Sequence, residues 1–144
     1  MSTEQNKTLL RNWIEEVGNQ HNMAAFEQYL APNVVDHSAP PGAPTGIAGV
    51  KQFFAMFVAA FPDLHETVDD IVAEGDKVVT RNTLRGTHTG AFLGIPPTGK
   101  PISVQTIDIT RVVGGKLVEH WGQLDMLGLM QQLGAAPTPA AAGR

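Results

Sequence analysis

The spacing of apolar residues changes once along this 144-residue chain, and that change constrains the fold more than any other feature. Up to about Phe61 apolar residues recur at intervals of three and four; from about Leu64 they fall in short runs rich in Val, Ile and Thr, separated by turn residues. The first pattern lines one face of a helix, and the second reads as strands. Helices first and sheet second predict an α+β fold with the helices on one face of the sheet.

Leu9, Leu10, Trp13, Ile14 and Val17 make a single stripe on a helix from about Thr3 to Gly18. A short second helix is expected after Asn22 as cap, with Met23, Phe26, Tyr29 and Leu30 inside and Pro32 near its end. Asn33 to His37 reads as a brief strand, followed by a loop in the Pro- and Gly-rich run from Ser38 to Gly46. Val50, Phe53, Phe54, Phe57, Val58 and Phe61 mark a third helix, about Ile47 to Phe61. Four strands then follow, Leu64–Ala73, Lys77–His88, Lys100–Val113 and Lys116–Leu124, with turns at Glu74-Gly75-Asp76 and Gly114-Gly115. The segment from Gly90 to Gly99 is too long and Pro-rich for a tight hairpin and is expected to rim a pocket. Leu127, Leu129, Met130 and Leu133 give a closing helix that stops at Gly134. Residues 1–134 are thus expected to form one domain and 135–144 a flexible tail. A strongly bent, mostly antiparallel sheet around three N-terminal helices makes a cone with an interior, and such a cavity is the default ligand site.

Composition narrows what that ligand is. Ten Lys and Arg, thinly spread in a chain of net charge -4, give no basic stripe for a nucleic acid backbone. The absence of cysteine removes disulfides and thiolate catalysis. None of the five histidines forms an i, i+4 pair, and neither GxGxxG nor GxxxxGK[ST] occurs, so metal and nucleotide cofactors find no foothold. Ser38 and Ser103 lack a nucleophile elbow. With no signal-like apolar N-terminus and no 18-residue apolar run, no membrane partner is expected and a cytoplasmic location is.

Three pieces of sequence carry a resemblance: Phe61-Pro62-Asp63-Leu64, the run Gly86-Thr87-His88-Thr89-Gly90 leading to Pro96-Pro97-Thr98-Gly99, and Glu119-His120-Trp121 before Asp125. With the order of elements, they make the chain resemble the SnoaL-like polyketide cyclase family, also called predicted ester cyclases, of the nuclear-transport-factor-2-like superfamily, over about residues 5 to 134. The resemblance implies that superfamily's cone-shaped fold. It implies a cofactor-independent cyclase, isomerase or lyase acting by acid/base chemistry on a small hydrophobic carbonyl compound, as in an intramolecular aldol closure. A non-catalytic binding domain and an epoxide hydrolase are the alternatives, since the superfamily hosts several activities. By the likeness to ketosteroid isomerases, His37 takes the general-base position and Asp108 the position of a protonated oxyanion-hole aspartate. The same register points His120, Gly122 and Leu124 inward, and puts Trp121, Gln123 and Ile109 on a convex face through which related cones pair, so a homodimer is expected. One departure stands out. In characterised cyclases an acidic residue just after the Trp position is the proposed acid/base, and this chain has Gly122 there.

The expected catalytic residues are therefore His37, Asp108 and His120. Around them, Trp13, Phe54, Phe57 and Phe92 are expected as core or pocket wall, with Gly122, Leu124 and Asp125 completing the substrate site. His88 is read either as a ligand contact or as the residue that holds the rim loop. Arg81 shares a strand face with Arg85, and inward it would bind an oxyanion, outward only water.

Overall fold

A computed structural model describes residues 1–137; the expected tail beyond Pro137 lies outside the described residues. Helix α1 (Thr3–Trp13) starts at a capping box in which Ser2 and Gln5 exchange hydrogen bonds. The expected helix to Gly18 does not stay α-helical: from Ile14 to Asn19 it widens to a π turn, with Gln20 N–H donating to Glu15 O at 3.0 Å. Asn19 explains where that turn ends, because its side chain bonds both backbone groups of Glu66, at 2.7 and 3.1 Å. The second helix is also shorter than its apolar spacing suggests. A 3-10 turn (Met23–Ala25) and one turn of α2 (Phe26–Tyr29) lead directly into strand β1 (Leu30–Asp36), and Asn22 bonds Glu16 instead of capping. Helix α3 (Gly46–Ala60) matches its expected span within a residue.

Strands β2 (His65–Glu74), β3 (Lys77–Thr87), β4 (Pro101–Val113) and β5 (Lys116–Leu124) form an antiparallel meander, closed by α4 (Met126–Gln132). The sheet order is β1-β5-β4-β3-β2, and β1 runs parallel to β5, so the sheet is mixed. Register shifts interrupt the β1–β5, β2–β3 and β4–β5 pairings. Each extra residue bends its strand, and together they curve the sheet round the helices.

Two apolar clusters hold the layers together. Leu10, Val17, Phe26 and Leu30 meet Val78, Val112 and Leu117 at one end. At the other, Phe57, Phe61 and Phe92 pack with Val104, Leu129 and Leu133. Phe26, Phe61 and Phe92 are fully buried, each contributing about 3 kcal/mol of apolar burial. Phe54 touches both clusters, and the space between them is left open. The loop after β3 owes its position to Gly90, whose N–H donates to Ala60 O at 3.1 Å and whose missing side chain leaves room for the Ala59 carbonyl.

Candidate active site

A cavity of about 810 Å³ opens between the helices and the concave face of the sheet, within the range of small-molecule sites. Its wall is apolar where Phe53, Phe54 and Phe57 of α3 face Leu64, Leu84 and Leu124. Its polar groups are Glu66, Thr106, Asp108, His120 and Gln123 from the sheet, Gln52 from α3, and Ser38 at the start of the Pro-rich loop. Among the described residues no lysine or arginine lines it.

The concave face concentrates charge at one point. His120 on β5 lies between two carboxylates, with Nδ1 2.9 Å from Asp36 Oδ1 and Nε2 2.8 Å from Asp108 Oδ1. Asp36 reaches it because β1 pairs in parallel with β5, setting Asp36 opposite His120. Asp108 reaches it from β4, where it stands opposite Gly122 and diagonal to His120. Both carboxylates are held in turn. Ser38 donates to Asp36 through its N–H and its hydroxyl, at 3.0 and 2.6 Å. Thr106 and Asn82 donate to Asp108 Oδ2, at 2.7 and 3.1 Å, and Asn82 is fully buried.

Electrostatics follow from this arrangement. Burial opposes a charge on His120, but its hydrogen bonds to Asp108 and Asp36 outweigh burial and raise its pKa to about 9. Burial likewise opposes the charge on Asp36, yet the bonds from His120 and Ser38 hold it down at about 2. At neutral pH the centre is an imidazolium flanked by carboxylates. Glu66, further along the cavity on β2, behaves in the opposite way. Burial, reinforced by the Asp108 charge and partly offset by His120, pushes its carboxyl up to about 8, so it stays neutral.

Gly122 explains how the chain does without an acid at that position. A Cβ there would lie 2.6 Å from Asp108 Oδ1 and 2.8 Å from His120 Cε1. The space is already filled by the carboxylate of its cross-strand partner. A carboxylate thus reaches this point from β4.

Of the residues expected at the site, Asp108, His120, Gly122, Leu124, Phe54 and Phe57 line the cavity. His37 does not. It lies one residue beyond β1, on the convex side of the sheet, stacked on Trp121 at 4.8 Å and bonded to Glu119 at 2.6 Å, with 41% of its side chain exposed. A strand alternates faces at every residue, so a slip of one position replaces His37 by Asp36 in the interior. Arg81 also points away from the cavity, paired with Asp70 at 2.7 Å. His88 is buried under the rim loop, its Nδ1 accepting the Thr98 N–H at 3.2 Å, which is the loop-holding arrangement. Phe92 is core, beneath Phe57 and Phe61. Trp13 packs on Phe26 and Tyr29, and Asp125 caps α4 through Gly128 N–H. None of these last five is in the cavity wall.

Among the polar residues of the site that escaped sequence reasoning are Asp36, Glu66 and Asn82. For Glu66 and Asn82 a signal existed, since Glu66 shares strand parity with buried Leu64, and Asn82 with Val78 and Thr80. For Asp36 there was none, because Val34 and Val35 offer an apolar residue at either parity.

Comparison with known proteins supplies the family. The chain is 30% identical over 136 residues to the aklanonic acid methyl ester cyclase DnrD of Streptomyces peucetius, covering 91% of this chain and 92% of that one. It is 30% identical over 107 residues to the nogalonic acid methyl ester cyclase of Streptomyces nogalater, covering 74% and 77%. The solved structure of TsrD from Streptomyces laurentii superposes with a TM-score of 0.86 at 32% identity, over 94% of this chain and 99% of that one. The SnoaL-like polyketide cyclase family pattern matches residues 8–133. An apolar cavity holding a histidine between two carboxylates is thus built on a sequence that, over nearly its whole length, belongs to the SnoaL-like polyketide cyclase family.

Proposed function

We propose that this protein closes a ring in a small, ester-bearing polyketide by intramolecular aldol addition, with Asp108 and His120 as its acid/base pair. The observation that carries the reading is the Asp36–His120–Asp108 chain of hydrogen bonds on the cavity wall, in which a carboxylate and an imidazolium sit 2.8 Å apart.

An aldol closure needs one proton removed from the carbon alpha to a carbonyl and one delivered to the new alkoxide. Asp108 Oδ1 takes the alpha proton, leaving an enolate whose carbon attacks the second carbonyl. His120 gives its proton to the alkoxide that forms. The proton on Asp108 then passes across the short bond to His120, and the centre is restored with none consumed. Electrons balance within the substrate, so no redox partner enters. Thr106 and Asn82 keep Asp108 oriented, and Asp36 holds His120 in its charged form between turnovers. General acid and base groups each contribute about 10²-fold or more to such steps.

The test uses aklanonic acid methyl ester, the compound in the name of the Streptomyces peucetius relative, with no cofactor added. Turnover by the wild type and a loss in kcat of about 10² or more in Asp108→Asn is the expected result. Turnover that survives Asp108→Asn at full rate removes Asp108 from the mechanism.

Assembly belongs to the same reading. Val35, Val72 and Ile107 are half or more exposed on the convex face, on the side that carries Trp121. We propose that two copies pair through it, which light scattering tests: a monomer at micromolar concentration contradicts it. No helix of the described residues is long and apolar enough to cross a membrane, consistent with the proposed cytoplasmic location.

A further inference from the structure

We infer that Glu66 is a second functional group of this cavity: a neutral carboxylic acid that donates a hydrogen bond to a carbonyl oxygen of the substrate and stabilises the enolate formed there. The inference rests on the acid/base reading above for what the rest of the site does, and on separate observations for Glu66 itself.

The first observation is position. Glu66 lines the same cavity as Asp108 and His120, close enough for both to act on its ionisation, but on β2, at the far edge of the sheet from β1. The second is the absence of a competing partner. Among the described residues no side chain or backbone group hydrogen-bonds its carboxyl, although both its backbone groups are bonded to Asn19. Every other polar side chain of the acid/base centre is bonded at least once. A half-buried carboxyl facing the cavity with no protein partner has its hydrogen-bonding capacity free for a ligand.

The third is that the fold holds this group in place. The π turn brings Gly18 beside it, with 3.1 Å between Glu66 Oε2 and the point where a Cβ at position 18 would stand. Asn19, the last residue of that turn, fixes the Glu66 backbone from the same side. Widened turns of this kind recur at functional sites.

Chemistry decides what Glu66 would bind. A neutral carboxyl is a donor to an oxygen that gains negative charge, and a preorganised donor in a dry site stabilises an oxyanion far more than water does. A carboxylate-bearing substrate would meet the Asp36–His120–Asp108 centre, of net negative charge, in a cavity lined, among the described residues, by no Lys or Arg. The inferred partner is therefore an uncharged carbonyl, an ester or a ketone, and not a free acid.

The experiment compares Glu66→Gln and Glu66→Ala with the wild type. Gln keeps a neutral donor, whereas Ala removes it. With aklanonic acid methyl ester, Glu66→Gln is expected to stay within about threefold of wild type at pH 7, and Glu66→Ala to lose about 10² in kcat. The alkaline limb of the wild-type profile, set first by Glu66 near pH 8, should move toward the His120 value near 9 in Glu66→Gln. A Glu66→Gln variant as damaged as Glu66→Ala, or one with an unmoved alkaline limb, overturns the inference. Infrared difference spectra need no turnover: a protonated-carboxyl band at pH 7 must vanish in Glu66→Gln and shift when the ester binds. A band absent at pH 7, or indifferent to the ester, also overturns it. Asp108→Asn measured alongside separates the two ideas, since full activity there sinks the acid/base reading while the infrared result still decides Glu66.

Discussion

The two faces of the sheet carry the same kind of pair and put it to different ends. On the concave face His120 bonds Asp36 and Asp108; on the convex face, one residue along each strand, His37 bonds Glu119. The inner histidine has carboxylates on both ring nitrogens, and its charge is held up to pH of about 9. The outer pair shares its carboxylate with Arg111, and the His37 ring lies open on Trp121. Glu119 is held below the usual carboxylate range by His37 and then Arg111, an ordinary surface network screened by solvent. The difference teaches that a histidine's charge is held through a second carboxylate partner and its place on the cavity wall, not through a single pair.

The comparison breaks most visibly at His120. His120→Ala leaves Asp36 and Asp108 without the cation between them, and kcat on aklanonic acid methyl ester should fall by about 10² or more, whereas His37→Ala should stay within about twofold. Equal losses in the two variants would mean that the convex face takes part in the chemistry.

A steric change sharpens the same point. Gly122→Ala adds a Cβ 2.6 Å from Asp108 Oδ1, so the carboxylate or the ring must move; activity should drop by about tenfold and stability by about 1 to 3 kcal/mol. Thermal unfolding and kcat measured together check it. A fully active variant would show that Asp108 need not hold its place beside His120.

The mildest effect is on pH dependence. His120 binds its proton more tightly folded than unfolded, so its contribution is complete below pH 6.5 and is lost as pH rises through about 9. That amounts to up to about 3 kcal/mol, shared with Asp36 and not additive to it. Asp36 gives the mirror image, complete above pH 3.8 and lost as pH falls through about 2. Chemical denaturation across pH 6 to 10 should show this alkaline slope in wild type and in His37→Ala, and a reduced slope in Asp36→Asn. A slope unchanged in Asp36→Asn would mean that Asp36 does not hold the His120 charge.

What the sequence by itself determined is the class of fold and the composition of the pocket wall. The switch from a helical period to Val-, Ile- and Thr-rich runs fixed helices before sheet, and the Phe54 and Phe57 stripe is dictated by helical spacing alone. His120 was legible only through the family likeness, because Leu117-Val118 and Glu119-His120 break the alternation along β5 and buried Leu117 has the opposite parity. Tertiary structure decided the rest. Whether Asp36 or His37 meets His120 depends on the register of a parallel pairing between strands more than eighty residues apart, and the Val34-Val35 doublet leaves both registers equally apolar. The widening of the first helix beyond Trp13 depends on Asn19 meeting the backbone of Glu66, a contact across 47 residues that no local spacing encodes. Gly122 reads in sequence as a missing acid, and only the cross-strand pairing with Asp108 shows that a carboxylate already occupies the space. Local periodicity selects the face each residue takes within its own element; which faces meet, and so which charges share a cavity, is set by long-range pairing.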